Sequence, residues 1–105
     1  MTLNEIQKEI DSHDIVLFMK GTPTFPQCGF SAHVIALLAA EGLSYTSHDV
    51  LNDDALRSNI KVFSNWPTIP QLYIRGEFIG GADIVHEMYD SVELSRVLHS
   101  QGYGF

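Results

Sequence analysis

The only cysteine of this 105-residue chain, Cys28, is the residue whose surroundings are best suited to chemistry. It follows a loop at 20–27 that carries two prolines, and it directly precedes a predicted amphipathic helix. The start of a helix presents partial positive charge and unpaired N–H groups, which favour a thiolate. Lys20, at the end of the preceding predicted strand, brings a cation to the same place. A buried, inert cysteine is the alternative, but the turn residues Gly29 and Ser31 are poor neighbours for a core position.

Ser31 stands where a dithiol oxidoreductase needs its second cysteine, the one that resolves the mixed disulfide formed by the first. Serine cannot do this, and the chain has no other thiol. Any disulfide chemistry of Cys28 therefore requires a thiol from another molecule. A single cysteine also excludes an internal disulfide and indicates a reducing compartment.

Composition and charge exclude several classes of function. Thirteen acidic and six basic side chains give a formal net charge of −7, which argues against nucleic-acid binding because a phosphate backbone requires clustered cations. The longest apolar run, Ile15–Met19, is far shorter than the roughly 18 residues of a membrane span. We therefore expect one soluble domain over residues 1–105, without a membrane partner. The absence of an N-terminal signal and the starting Met1 favour a bacterial-type cytoplasmic protein, with an organelle matrix as the alternative.

Apolar spacing and turn residues predict an α/β fold. Thr2 and Glu5 form a capping-box pattern that starts a first helix, and the apolar run Ile15–Met19 predicts a central strand. A second helix presents a face that begins at Phe30 and ends before Gly42. The remaining predicted elements are a strand at 45–50, a helix capped by Asn52 or Asp53, strands Gln71–Ile74 and Glu77–Gly80 joined by a turn at Arg75 and Gly76, and helices at 82–90 and 92–99.

This order of elements predicts a small four-stranded mixed sheet with helices on both faces. The β-α-β unit supplies two parallel strands, and the hairpin adds two antiparallel ones. In such sheets, ligand sites lie beyond the carboxyl ends of the parallel strands. The predicted strand Ile15–Met19 ends next to Lys20, so Cys28 is predicted to lie at this edge.

Four motifs in one order extend over nearly the whole chain. They are Met19-Lys20-Gly21-Thr22-Pro23, Pro26-Gln27-Cys28-Gly29-Phe30-Ser31, Trp66-Pro67-Thr68-Ile69-Pro70-Gln71-Leu72-Tyr73 and Gly76-Glu77-Phe78-Ile79-Gly80-Gly81-Ala82-Asp83. In order and spacing the sequence resembles the monothiol (CGFS-type) glutaredoxins, which have the thioredoxin fold. The resemblance implies a single glutaredoxin domain over residues 1–105.

The resemblance implies a pocket for glutathione, which carries two carboxylates, an ammonium, two amides and a thiol. Lys20 and Arg57 match residues that face the glycyl carboxylate. Ile69 matches the residue before a cis-proline, here Pro70, and a cis bond would turn the Ile69 backbone outward to pair with the peptide. The plain alternative is that Lys20 and Arg57 are solvated charges and that Ile69 and Pro70 form a rigid turn.

Ala82 and Asp83 match two further glutathione positions of the family. Their N–H groups would receive the γ-glutamyl carboxylate at a helix start, and the Asp83 side chain would receive the ammonium. An ordinary helix cap is the alternative for Asp83. Many family members carry a cysteine where this chain has Ala82, so a disulfide from that position to Cys28 is impossible here.

By the same resemblance, Cys28 is expected to ligate a [2Fe–2S] cluster. Such a cluster needs four ligands, usually thiolates, and the resemblance implies that two chains and two glutathiones supply them within a homodimer. We expect a carrier that takes clusters from a scaffold to apo iron–sulfur clients, with BolA-like proteins as partners. The histidines are scattered and are expected in surface or packing roles rather than as ligands; they are His13, His33, His48, His86 and His99.

Two other functions stay open. An enzyme that reduces protein–glutathione mixed disulfides would use Cys28 as its nucleophile in the same pocket. The missing second thiol and the loop at 22–26, which the resemblance associates with weak oxidoreductase activity, favour the carrier. The third hypothesis is an adaptor of thioredoxin fold that binds no ligand.

Overall fold

The computed structural model describes residues 1–81, so the helices predicted at 82–90 and 92–99 lie outside the described part of the chain. Within residues 1–81, three α-helices and four strands follow one another in the predicted order. They are α1 (Leu3–Ser12), β1 (Ile15–Met19), α2 (Gly29–Ala40), β2 (Thr46–Asp49), α3 (Asp54–Ser64), β3 (Gln71–Ile74) and β4 (Glu77–Gly80). Among these elements, no helix has the length and apolar character needed to cross a membrane.

Local hydrogen bonds explain where the helices begin and end. The Thr2 hydroxyl accepts from the Glu5 N–H at 3.2 Å, and the Glu5 carboxylate accepts from the Thr2 N–H at 2.9 Å, which confirms the predicted capping box. Asp53 caps α3 by accepting from the Leu56 N–H at 3.0 Å. α2 ends before Gly42 in the hydrogen-bond pattern of a Schellman motif, also as predicted.

The strands form the predicted four-stranded mixed sheet, in the order β2-β1-β3-β4. β1 is parallel to β2, whereas β3 is antiparallel to both β1 and β4. The hairpin turn between β3 and β4 has positive φ angles at both central residues, 48° at Arg75 and 81° at Gly76. Two positive φ angles are typical of a type I′ turn, whose twist matches that of the flanking strands.

Helices cover both faces of the sheet, because alternate residues of the fully buried β1 point to opposite sides. On one face, strand residues pack against α2, and on the other they pack against α1 and α3. The first core contains Ile15, Leu17, Met19, Val34, Leu37, Leu38, Leu72 and Ile74. The second contains Ile6, Ile10, Val16, Phe18, Val50, Leu56, Ile60, Ile69 and Tyr73.

The structure corrects two details of the sequence prediction. The strand predicted at 45–50 is shorter at both ends, and Val50 already belongs to a 3-10 turn (Val50–Asn52). This turn forms because the Asp49 carboxylate accepts from the Leu51 N–H at 2.9 Å. Phe30, predicted to begin the core face of α2, is 61% exposed, since the buried row of this helix starts at Ser31.

Candidate functional site

The carboxyl ends of the two parallel strands lie side by side, where Met19 of β1 pairs with Asp49 of β2. The loop at 20–27 leaves β1 at this edge and returns on itself. The Gln27 N–H donates to the Lys20 carbonyl at 2.9 Å, and Gly21 forms an antiparallel bridge with Pro26. α2 therefore begins close to the end of β1.

Gly21 is the residue that lets this loop close so tightly. Its φ is +90°, and an added Cβ would lie 2.5 Å from the Phe25 carbonyl oxygen and 2.7 Å from the Gln27 nitrogen. Any other residue would force the two sides of the loop apart. The tip is held by the Thr22 N–H, which donates to the Phe25 carbonyl at 3.2 Å.

Cys28 is the N-cap residue of α2 and carries a free, partly exposed thiol. The backbone N–H of Ser31 lowers the pKa of this thiol, and the Phe30 N–H, the Lys20 ammonium and the Ser31 hydroxyl act in the same direction, against partial burial. Ser31 is itself fully buried, and its hydroxyl accepts from the Lys20 N–H at 3.1 Å. The start of α2 thus favours a thiolate, as the sequence predicts.

A second wall faces Cys28 and is formed by the segment 66–70. The Ile69–Pro70 peptide bond is cis, as predicted. The fully buried Gln71 fixes this segment, because its side-chain amide donates to the Trp66 and Thr68 carbonyls, each at 3.2 Å. The side-chain oxygen of Gln71, Oε1, accepts from the Tyr73 hydroxyl at 3.2 Å. Burial raises the pKa of Tyr73 to about 12, so this hydroxyl is a permanent donor near neutral pH.

A cleft of about 390 Å³ lies between the two walls. Of the predicted site residues, Lys20, Cys28 and Ile69 line it. The remaining lining residues are Phe30, Lys61, Trp66, Pro67, Thr68, Pro70 and Gly81. The structure therefore brings a cation, the thiol and the residue before the cis-proline to one cavity.

Among residues 1–81, Arg57 is the one predicted site residue that does not line the cleft. Arg57 is exposed on α3, and its role stays a prediction. Ala82 and Asp83 lie outside the described residues, directly after Gly81, which does line the cleft.

Lys61 lines the cleft and was missed by the sequence analysis. It follows Arg57 by four residues on α3, a spacing that places both side chains on one helix face. That spacing was the signal available in the sequence. Within residues 1–81, neither Lys20 nor Lys61 has a carboxylate within 4 Å, so the cleft presents two ammonium groups suited to an anion.

Two aromatic residues, Phe30 and Trp66, line the cleft together with Cys28, and a third, Phe25, lies in the preceding loop. Phe25 in the loop is 71% exposed, Phe30 follows Cys28 in α2, and Trp66 on the opposite wall contacts Phe78 with ring centroids 5.8 Å apart. Four other aromatic residues, Phe18, Phe63, Tyr73 and Phe78, belong to or pack against the second core.

Two of the five histidines contact the same carboxylate. The Glu9 Oε1 atom lies 2.9 Å from the His48 Nε2 and 3.2 Å from the His13 Nε2. His48 also stacks on Phe18. His86 and His99 lie outside the described residues. Within residues 1–81, no three histidine, cysteine, aspartate or glutamate side chains are grouped to hold a metal ion.

Comparison with known proteins agrees with this architecture. Residues 15–79 match the family model described as glutaredoxin. Probable monothiol glutaredoxin 2 of Rickettsia typhi is 48% identical over 99 residues, which are 94% of this chain and 89% of that protein. Monothiol glutaredoxin-4 of Schizosaccharomyces pombe is 50% identical over 88 residues and 84% of this chain, and this chain spans only 36% of that longer protein.

A solved structure gives the same result for the fold. The solution structure of a monomeric truncated mutant of Trypanosoma brucei 1-C-Grx1 superposes with a TM-score of 0.88 at 47% sequence identity. The match covers 97% of this chain and 93% of that one.

Proposed function

The chain belongs to the glutaredoxin family, in its monothiol branch, and from this premise we propose that it is a glutathione-dependent carrier of [2Fe–2S] clusters. In this proposal, Cys28 of two copies and the thiols of two glutathiones ligate one cluster, which is cargo rather than a resident group. The observation that carries the proposal is a single thiol of lowered pKa in a cleft that also presents two lysines.

The chemistry of the cleft fits glutathione. Lys20 and Lys61 provide ammonium groups for a carboxylate of the tripeptide, and Ile69 lines the wall along which its peptide would extend. Cys28 lines the same cavity, so a bound glutathione would bring its own thiol to the Cys28 sulfur. Arg57, Ala82 and Asp83 are proposed to complete the contacts with the two ends of the ligand.

The chemistry of Cys28 fits an iron ligand. The thiolate is the form of cysteine that binds metal, and the N–H groups at the start of α2 favour that form. A [2Fe–2S] cluster needs four ligands, and one chain offers one cysteine. Two chains and two glutathiones supply the four ligands. Because the two glutathione ligands can exchange, the cluster can be passed on.

The proposal includes the partners of such a carrier. A homodimer forms when the cluster is bound, a scaffold donates the cluster, and apo iron–sulfur proteins receive it. A BolA-like protein is proposed to replace one subunit of the dimer. A reducing compartment, for which we propose the cytoplasm, suits a free thiol.

A second candidate function is favoured by the lowered pKa of Cys28, since a thiolate is also the nucleophile of disulfide exchange. The Cys28 thiolate would attack the glutathione sulfur of a protein–glutathione mixed disulfide and release the protein thiolate. A second glutathione thiolate would then attack the Cys28–glutathione disulfide, which returns the Cys28 thiolate and yields oxidised glutathione.

Anaerobic reconstitution with iron, sulfide and glutathione separates the two functions, with visible absorbance and size-exclusion chromatography as readouts. A carrier gives a coloured dimer that loses its colour when glutathione is removed, and Cys28→Ser gives no colour. Colourless protein with rapid turnover of a glutathionylated substrate would favour the enzyme. A monomer that retains iron without glutathione would contradict the proposal.

A matched pair of lysine variants tests the cleft. Lys20→Ala is expected to weaken glutathione binding measured by calorimetry, because it removes an ammonium that lines the cleft. Lys8→Ala removes the same charge from the exposed surface of α1 and is expected to leave binding unchanged. Equal effects of the two variants would contradict the assigned cleft.

A further inference from the structure

Asp49 ties the end of β2 to the loop that follows β1. Its Oδ1 atom accepts from the Gly21 N–H at 2.8 Å and from the Leu51 N–H at 2.9 Å, and its Oδ2 atom accepts from the Asn52 side-chain amide at 3.1 Å. The bond to Gly21 spans 28 residues of sequence. It is therefore a tertiary contact, whereas the other two are local.

The bond to Gly21 fixes the backbone next to Lys20. The Lys20 N–H donates to the buried Ser31 hydroxyl at 3.1 Å, and the Lys20 carbonyl accepts from the Gln27 N–H at 2.9 Å. Gly21, Lys20 and the start of α2 are thus connected in one network. Asp49 joins this network to the sheet at the position beside Met19.

We propose that Asp49 is a positioning residue of the cleft, whose carboxylate holds Gly21 and thereby sets Lys20 and Cys28 in their places relative to each other. Asp49 does not line the cleft, so it acts through the loop rather than on the ligand. The part of this inference that concerns ligand binding rests on the proposed glutathione function. The part that concerns the thiol does not.

The position of the acceptor oxygen, more than the charge, is what the loop requires. The Oδ1 atom receives two N–H groups, and an asparagine carbonyl oxygen can receive the same two. Asparagine loses only the local, exposed bond from the Asn52 amide to Oδ2, which does not reach the Gly21 loop. A glutamate keeps the charge, but its extra methylene displaces the acceptor from the Gly21 N–H. Asp49→Asn and Asp49→Glu therefore separate hydrogen bonding from charge.

The first experiment measures the rate of Cys28 alkylation by iodoacetamide as a function of pH, without glutathione. Asp49→Glu is expected to move the profile to higher pH, with a severalfold loss of thiolate at a given pH, because the Lys20 ammonium and the Ser31 hydroxyl, which are tied to the Gly21 loop, move away from the sulfur. The Phe30 and Ser31 N–H groups belong to the same motif as Cys28 and stay in place. Asp49→Asn is expected to follow the wild type. Thr2→Ala removes another side-chain acceptor of a backbone N–H, on α1, and serves as a control that lowers thermal stability without moving the profile.

The second experiment measures glutathione affinity of the same four proteins by calorimetry. Asp49→Glu is expected to bind about tenfold more weakly, the loss of one hydrogen bond to a charged group, while the other two variants match the wild type. If Asp49→Glu changes only thermal stability, as Thr2→Ala does, the inference is overturned. It is also overturned if Asp49→Asn behaves like Asp49→Glu. If the wild type binds no glutathione while the alkylation profile still shifts in Asp49→Glu, the proposed function fails and the positioning role of Asp49 stands.

Discussion

Replacing Gln71 with leucine is expected to destabilise the protein by about 2–3 kcal/mol and to loosen the wall of the cleft that contains the cis-proline. The fully buried side chain makes three hydrogen bonds, two to the Trp66 and Thr68 carbonyls and one from the Tyr73 hydroxyl. Each such bond contributes roughly 1 kcal/mol net, and a buried group left without a partner costs about 1–3 kcal/mol. Trp66 and Thr68 are exposed, so water can reach their carbonyls, whereas Tyr73 is buried. The buried apolar surface of leucine offsets part of the loss.

Urea denaturation measures this effect, with fluorescence of the single tryptophan, Trp66, as the probe. With a slope of about 1.5 kcal/mol per molar urea, the midpoint of Gln71→Leu is expected to fall by roughly 1.3–2 M at an unchanged slope. The double variant with Tyr73→Phe is expected to regain about 1 kcal/mol, because it removes the hydroxyl that Gln71→Leu leaves without its acceptor.

Two results would refute this reasoning. A loss below about 0.5 kcal/mol for Gln71→Leu, the range of an ordinary surface substitution, would mean that the amide does not hold the segment 66–70. A double variant less stable than Gln71→Leu would mean that the Tyr73 hydroxyl has another partner of equal strength. The Ser64 hydroxyl, which lowers the pKa of Tyr73 against the effect of burial, is the available one.

Three further predictions concern the second lysine, the loop and the buried tyrosine. Lys61→Ala is expected to weaken glutathione binding several-fold in calorimetry, and Arg57→Ala is expected to weaken it less, because of these two residues only Lys61 lines the described cleft. A larger effect of Arg57→Ala than of Lys61→Ala would instead favour Arg57 as the residue that binds the carboxylate. Gly21→Ala is expected to lower the free energy of unfolding by at least about 1 kcal/mol because of the positive φ, and by more because the new Cβ would lie 2.5 Å from the Phe25 carbonyl oxygen. It is also expected to slow Cys28 alkylation at neutral pH. An unchanged urea midpoint and an unchanged alkylation rate would contradict the tight closure of the loop. Folding raises the pKa of Tyr73 from 10.0 to about 12 because the hydroxyl is buried. The protonated hydroxyl therefore contributes fully to stability below pH 10, and this contribution is lost as the pH rises towards 12. Tyr73→Phe is expected to remove that part of the alkaline loss of stability, measured by urea titrations at several pH values, and an unchanged pH dependence would argue against the burial of this hydroxyl.

The sequence predicted the elements that are encoded locally. The capping box of Thr2 and Glu5 and the strand Ile15–Met19 depend on neighbours within a few residues, and both are confirmed. Of the two predicted caps of α3, Asn52 and Asp53, the structure has Asp53. The environment of the thiol belongs to the same class, since the N–H groups that lower the pKa of Cys28 come from Phe30 and Ser31 in the same motif. The cis bond before Pro70 was predicted through the family resemblance rather than from local physics.

Other features depended on the arrangement of distant segments, and the sequence analysis missed them. It assigned Arg57 through the family resemblance, an assignment that stays a prediction, and did not consider Lys61. Residues four apart share a helix face, and only the packing of α3 beside the segment 66–70 brings Lys61 to the cleft. It placed Phe30 in the core, although the side chain lies at the cleft. It gave no role to Asp49, whose contact with Gly21 joins positions 28 residues apart.

The sequence by itself thus determined which groups are available for chemistry: one thiol at the start of a helix, nearby cations and a segment that carries two prolines. The tertiary structure decided which of these groups face one another and what holds them there. The physical reason is the distance along the chain over which each kind of interaction acts. Caps, turns and apolar periodicity act over a few residues. The cleft, in contrast, is lined by Lys20 after β1, by Cys28 and Phe30 at the start of α2, by Lys61 of α3 and by the segment 66–70, whose relative positions are set by the burial of the two cores on opposite faces of the sheet.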